Sequence, residues 1–174
     1  MKRSLILAFI LLVFVTLLAD EPVIIRDTND LHYRGVNVQM TDGSIIAFWD
    51  ETVSDKMDIL AQRLDVDGNL LWANPLQVVI KQHTQEVKSA VECSDGNVVI
   101  LWLERDQNDF RSLWIQKISP NGDLLWNPNG IRVSMDEAYP SQFSIVPNAL
   151  GGVYVMYYGG NTEGYLMGHN VNGN

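Results

Sequence analysis

The sequence is short of the groups that most directly mark a function. It holds one cysteine in 174 residues, Cys93, so no internal disulfide and no zinc pattern can be built from it. His32, His83 and His169 are far apart in the chain and share no metal-ligand spacing. Only 12 Lys and Arg stand against 21 Asp and Glu, giving a net charge of −9. Phosphate backbones need a basic patch, so nucleic acid is excluded as a partner. No nucleophile elbow, phosphate-loop motif or zinc-helix motif occurs. The apolar period of an amphipathic helix is missing throughout, which excludes α/β folds. After the first twenty residues no apolar run is long enough to span a bilayer.

The amino terminus reads differently. Lys2-Arg3 is followed by an apolar run from Leu5 to Leu18 and then by Ala19-Asp20. This predicts a secretory signal peptide over 1–19 and a linker or leading strand over 20–32. Leu17 stands where a small residue is preferred, so the alternative is an uncleaved anchor. The run is shorter than the roughly 20 residues of a spanning helix, and no cysteine follows it to carry a lipid. The expected location is therefore outside the cell or in its envelope. Cleavage removes Lys2 and Arg3, leaving 10 basic against 21 acidic residues and moving the net charge from −9 to −11. Cys93 lies two residues from Val91 on a predicted strand, which marks it as a buried structural thiol.

What is abundant is repetition. Thr41-Asp42-Gly43 and the run to Trp49 return as Ser94-Asp95-Gly96 and the run to Trp102, at a shift of 53. Asp67-Gly68-Asn69-Leu70-Leu71-Trp72 returns as Asn121-Gly122-Asp123-Leu124-Leu125-Trp126, at a shift of 54. Gln62-Arg63-Leu64 returns as Gln116-Lys117-Ile118 at the same shift of 54. A third unit opens with Gly151-Gly152 and places Tyr158 where Trp49 and Trp102 stand. It reaches the second turn at Asn172-Gly173-Asn174. The units are 33–85, 86–139 and an incomplete 140–174.

Each unit reads as four strands joined by Asp-Gly or Asn-Gly turns, which accept the positive φ angles of tight hairpins. The strands fall at 35–40, 44–50, 58–65 and 70–80 in the first unit. They recur at 88–94, 97–104, 111–119 and 124–134 in the second, and at 142–147, 152–158 and 164–171 in the third. Ile45, Ala47 and Trp49 oppose Ile46 and Phe48, as Val98, Ile100 and Trp102 oppose Val99 and Leu101. Apolar residues on both faces require a sheet covered on both sides. A stack of small antiparallel sheets does this, whereas a two-layer sandwich would leave one face of each sheet wet. The fold class is all-β, a partial β-propeller of two full blades and an incomplete third. Closed propellers have roughly four to eight blades, so a piece of a larger ring is expected, with end blades open to self-association.

The stretch Leu64-Asp65-Val66-Asp67-Gly68-Asn69-Leu70-Leu71-Trp72 resembles the tryptophan-docking hairpin of quinoprotein-type propellers. There an Asp, a turn Gly and a Trp lock neighbouring blades. Ile118 to Trp126 matches it with Ser119 in place of the Asp. From Tyr33 onward the units are similar to the long-blade repeats of secreted bacterial surface proteins. The resemblance implies structural roles for Trp49, Trp72, Trp102, Trp126, Gly68 and Gly122, and implies no particular activity.

Candidate chemistry is sparse. Asp65-x-Asp67-x-Asn69 alternates oxygen donors as a calcium loop does, but the glycine comes early and the distal Glu is missing. Turn formation accounts for these residues, so no cofactor is expected and calcium is the one ion the pattern evokes. Trp114 has Leu60 as its counterpart and is expected to be exposed. The loops between second and third strands share one rim with the connections between blades. They gather Asp50, Glu51, Asp55, Glu104, Asp106 and Asp109, joined by Glu86, Asp136, Glu137, Tyr139 and Glu163. This predicts an acidic rim facing a cation or a basic partner, or else an ordinary solvated loop edge. The expected function is a non-catalytic extracellular module for binding, adhesion or scaffolding, with a cell-surface protein or glycan as partner. The alternatives are a fragment of a propeller enzyme acting on glycans and a quinoprotein-like assembly scaffold of the envelope.

Overall fold

The computed structural model describes residues 24–26, 32–53, 56–134, 140–159 and 165–171. The predicted signal peptide, Asp55, Asp136, Glu137, Tyr139, Glu163 and the hairpin at 172–174 lie outside the described residues. Among those described there are strands and no helix.

The first sheet is an antiparallel meander of β1 (His32–Gln39), β2 (Ile45–Val53), β3 (Lys56–Leu64) and β4 (Leu76–Gln77). The second repeats it with β5 (Thr84–Glu92), β6 (Val98–Arg105), β7 (Arg111–Ile118) and β8 (Ile131–Arg132). The third has β9 (Ser141–Pro147), β10 (Val153–Gly159) and β11 (Tyr165–Val171). The sheets pack face to face in chain order and do not close on themselves, so the protein is a partial β-propeller. The side of each blade that meets the following one is its trailing face; the opposite side is its leading face.

Stacking explains the second strands. Ile46, Phe48 and Ala61 on the trailing face of the first blade pack against Val98, Ile100 and Trp102 of the second. Val99, Leu101 and Leu103 on the other side of β6 pack against Val153, Val155 and Tyr157 of the third. Residues from Val98 to Trp102 are all fully buried, which accounts for their unbroken hydrophobicity.

Three details differ from the sequence-based expectations. The fourth strands are much shorter than 70–80 and 124–134. Each is a single bridge, Leu64 to Leu70 or Ile118 to Leu124, followed by a gap and a two-residue pairing. Pro75 and Pro128 stand in the gaps, and proline offers no N–H to a ladder. A side chain takes over there: Gln62 Nε2 donates to Trp72 O at 3.1 Å and Gln116 Nε2 to Asn127 O at 2.7 Å. The repeated glutamine, buried in both blades, thus replaces backbone pairing. In the third blade Gly151, at φ 76°, matches Gly43 at 88° and Gly96 at 77°. That moves Tyr157, not Tyr158, into the place of Trp49 and Trp102, and Tyr157 is fully buried while Tyr158 is exposed. Trp114 is half-buried rather than exposed. It stacks on Trp102 with ring centroids 6.4 Å apart, and Lys81 Nζ lies 3.0 Å from its ring centre.

The hairpin tryptophan reaches the next blade. Trp72 Nε1 donates to Pro120 O at 3.0 Å in the turn of the next blade. Its ring covers Gly122, whose φ of 91° is the turn conformation that favours glycine. Arg63 ties the same carbonyl, at 2.9 Å, to Asp42 of its own blade, at 2.5 Å. Lys117 repeats the tie one blade on, from Asp95 Oδ2 to Gly151 O, both at 2.5 Å. Trp126 packs into the core between the second and third blades. Replacing Trp72 by Phe keeps the ring but removes the cross-blade hydrogen bond, and should cost about 1 kcal/mol. Trp72→Ala should cost about 3 kcal/mol. Urea unfolding of both variants checks the ranking.

Candidate functional site

The predicted acidic rim folds into ion pairs. Strand alternation sends Asp50 to the trailing face, alongside Ile46 and Phe48, and Glu51 to the leading face, alongside Trp49. Asp50 is fully buried, and its Oδ1 accepts the Val87 N–H of the second blade at 2.7 Å. Val87 lies beside a bulge in β5, where the register slips between Val87 and Ser89. Among the described residues Asp50 Oδ2 has no hydrogen-bond partner.

Next to it, Glu86 is surrounded by cations from three strands. Arg34 reaches it from β1, Lys88 Nζ stands 2.9 Å from Oε2, and Arg105 Nη2 stands 3.2 Å from Oε1. Burial pushes the Asp50 carboxyl up to about 6, with the Val87 N–H and the Arg34 charge opposing and the Glu86 charge adding to the rise. Burial also works against ionised Glu86, but the hydrogen bonds from Lys88 and Arg34 outweigh it and hold Glu86 below the usual carboxylate range. Two neighbouring acids are thereby driven in opposite directions.

The leading faces carry a second, repeated arrangement. Glu51 accepts Arg26 Nε at 3.1 Å and Nη2 at 2.8 Å, and Trp49 Nε1 at 3.0 Å. Its counterpart Glu104 accepts Lys81 Nζ at 2.6 Å and meets His83 Nδ1 at 3.0 Å. Burial lowers the proton affinity of Lys81, and Glu104 works against that. In both blades the cation comes from the segment just before the first strand.

Of the six rim acids, Asp50, Glu51 and Glu104 are buried rather than displayed. Asp106 caps its own turn, its Oδ1 accepting Asn108 N at 2.8 Å and Phe110 N at 2.9 Å. Asp109 is exposed, at φ 63°, with Arg105 at 3.3 Å and Arg111 at 3.8 Å. Asp55 lies outside the described residues. The cations Arg26, Arg34, Lys81, Lys88 and Arg105 were missed in the sequence. A signal for two of them was there: Val23-Ile24-Ile25-Arg26 and Val78-Val79-Ile80-Lys81 precede equivalent strands. At the calcium-like hairpin, Asp65 holds its own turn, accepting Asp67 N at 2.9 Å and Asn69 N at 2.8 Å on Oδ1 and Asn69 Nδ2 at 2.9 Å on Oδ2.

One cleft of about 490 Å³ opens on the leading face of the first blade, lined by Ile24, Ile25, Val36, Ala47 and Trp49 among others. Its lining is apolar apart from Arg26 and Asn37.

No family model and no curated protein matches the sequence. Among solved structures, the endo-arabinase of Bacteroides thetaiotaomicron is similar with a TM-score of 0.46 and 12% identity, over 82% of this chain and 55% of that one. The chain therefore spans about half the length of that enzyme.

The Asp50 environment sets a sign for pH dependence. Its folded pKa of about 6 lies above the ordinary aspartate value of 3.8. Protonated Asp50 favours the fold at low pH, and that contribution is lost as pH rises through 6. Asp50→Asn keeps an acceptor for Val87 N–H and cannot ionise. It should raise stability by about 1–3 kcal/mol at pH 7.5, with most of the gain gone at pH 4.5, as read from paired thermal melts.

Proposed function

We propose that the chain is a non-catalytic binding and scaffolding module of the cell exterior or envelope, forming part of a larger propeller. The observation that carries this reading is the use made of the buried carboxylates. Asp50 holds the second blade through Val87, Glu86 is neutralised by three cations, and Glu51 and Glu104 anchor the segments that enter each blade. These groups are occupied in joining blades. What is left to a partner is the rim carrying Asp106 and Asp109. A protein or glycan at the cell surface fits such a surface.

A second reading, a propeller enzyme acting on glycans, has one observation in its favour. Asp50 and Glu86 are adjacent carboxylates with oppositely displaced titration, an arrangement suited to acid and base roles. Against it, Asp50 is fully buried and its Oδ1 is committed to a backbone N–H, so a substrate has no access to it.

The two readings separate in a reducing-sugar assay on arabinan and on purified cell-wall polysaccharide, paired with calorimetric titration of the same polymers. Binding or silence without sugar release is expected. Sugar release by the wild type that Asp50→Asn abolishes, in a variant that still melts cooperatively, would establish the enzyme instead.

A further inference from the structure

The two outer faces of the arc are unlike each other, and each matches a face already buried inside it. On the trailing face of the third blade, Tyr154, Met156 and Tyr158 alternate with the buried Val153, Val155 and Tyr157 and are 48%, 41% and 43% exposed. By turn register they stand where Ile46, Phe48 and Asp50 stand in the first blade and Val99, Leu101 and Leu103 in the second. Both of those rows are covered by a following blade. The turn beside them is capped by Asn148, whose Oδ1 accepts Leu150 N and Gly152 N, but it has lost the polar pair before its glycine. Ala149 and Leu150 replace Thr41-Asp42 and Ser94-Asp95, and Leu150 is 75% exposed.

At the other end, the leading face of the first blade is built like that of the second. Ile24-Ile25-Arg26 stands as Val79-Ile80-Lys81 does, and Arg26 grips Glu51 as Lys81 grips Glu104. Val98, the counterpart of Ile45, is fully buried beneath the preceding blade, whereas Ile45 is 38% exposed. The counterpart of the Pro120–Gly122 docking turn is Val66–Gly68. Val66 is 71% exposed. The apolar cleft opens on this same face.

We infer that these two faces bind each other between copies of this chain, head to tail, with Tyr154, Met156 and Tyr158 of one copy seated on the Ile45, Ala47 and Trp49 face of the next. The second copy is the occupant because one chain carries both halves of an interface that it already forms twice within itself. A trailing face that meets only a leading face makes the contact heterologous, so it closes into a ring or grows as a row. This pairing is independent of whether the chain is a binding module or an enzyme.

Light scattering coupled to size exclusion on the full chain tests it. The wild type should run either as a closed ring of two or more chains or as a series whose mass grows with concentration. Met156→Glu blocks the trailing face and Ile45→Glu the leading face, and each alone should be a monomer with a cooperative melt. Mixed in equal amounts, they retain one good face each and should form a 1:1 dimer that grows no further. A wild type that stays monomeric at every concentration overturns the inference. So does self-association of either variant at the wild-type mass, which would make the contact isologous. Oxidation of mixed Met156→Cys and Ala47→Cys chains gives an independent reading, since Cys93 is buried and its thiol pushed up to about 11. A cross-linked dimer is expected, and its absence counts against the pairing.

Discussion

Everything in this fold depends on β6 being buried on both sides. A small four-stranded sheet cannot cover its own two faces, and hydrophobic surface left in water costs about 25 cal/mol for each square ångström. Blades are therefore not independent units but layers, each the solvent of its neighbours. The tryptophan hairpins, the Arg63 and Lys117 ties and the paired acids all act where one layer meets the next. Their common effect is to fix the angle and register at which apolar faces touch.

The two internal joints are not equivalent. At the first, a buried Asp50 takes a backbone N–H from the following blade and lies next to an ion cluster. At the second, Leu103 occupies the same place in apolar surroundings. At this position the first joint is directional and responds to protons, whereas the second is apolar and keeps its polar contacts at the turn end, where Lys117 reaches Gly151 O. Nominally identical units thus place their ionisable groups at different depths of the joint.

The stacking was legible in the sequence because it leaves a period-two code on both faces of each second strand. Paired glycines and tryptophans gave the repeat, while the part of Trp72 between blades was implied only by the likeness of its hairpin to a tryptophan-docking element. The rim was less legible. Asp50, Glu51 and Glu104 look like solvated loop acids when read along the chain, because their partners lie elsewhere: Arg26 and Lys81 stand 25 and 23 residues from Glu51 and Glu104, and Val87 lies across a blade from Asp50. Burial depends on the three-dimensional stack, and a carboxylate at a strand end carries no local mark of it. The misplacement of Tyr158 had a smaller cause. Two adjacent glycines were both candidates for the left-handed turn position, and only the backbone decides that Gly151 takes it.

The two glutamines that bracket the fourth strands have a consequence for how such a chain can change. Equivalent positions drift from a shift of 53 at the first hairpin to 54 at Gln62 and Gln116, and to 55 at Leu76 and Ile131. Each added residue sits in a loop after the second strand or in the gap that a glutamine amide spans, and none falls between the buried rows. Unit length is thereby uncoupled from core register. Neighbouring blades can diverge in outline, one insertion at a time, while the layers beneath them continue to fit.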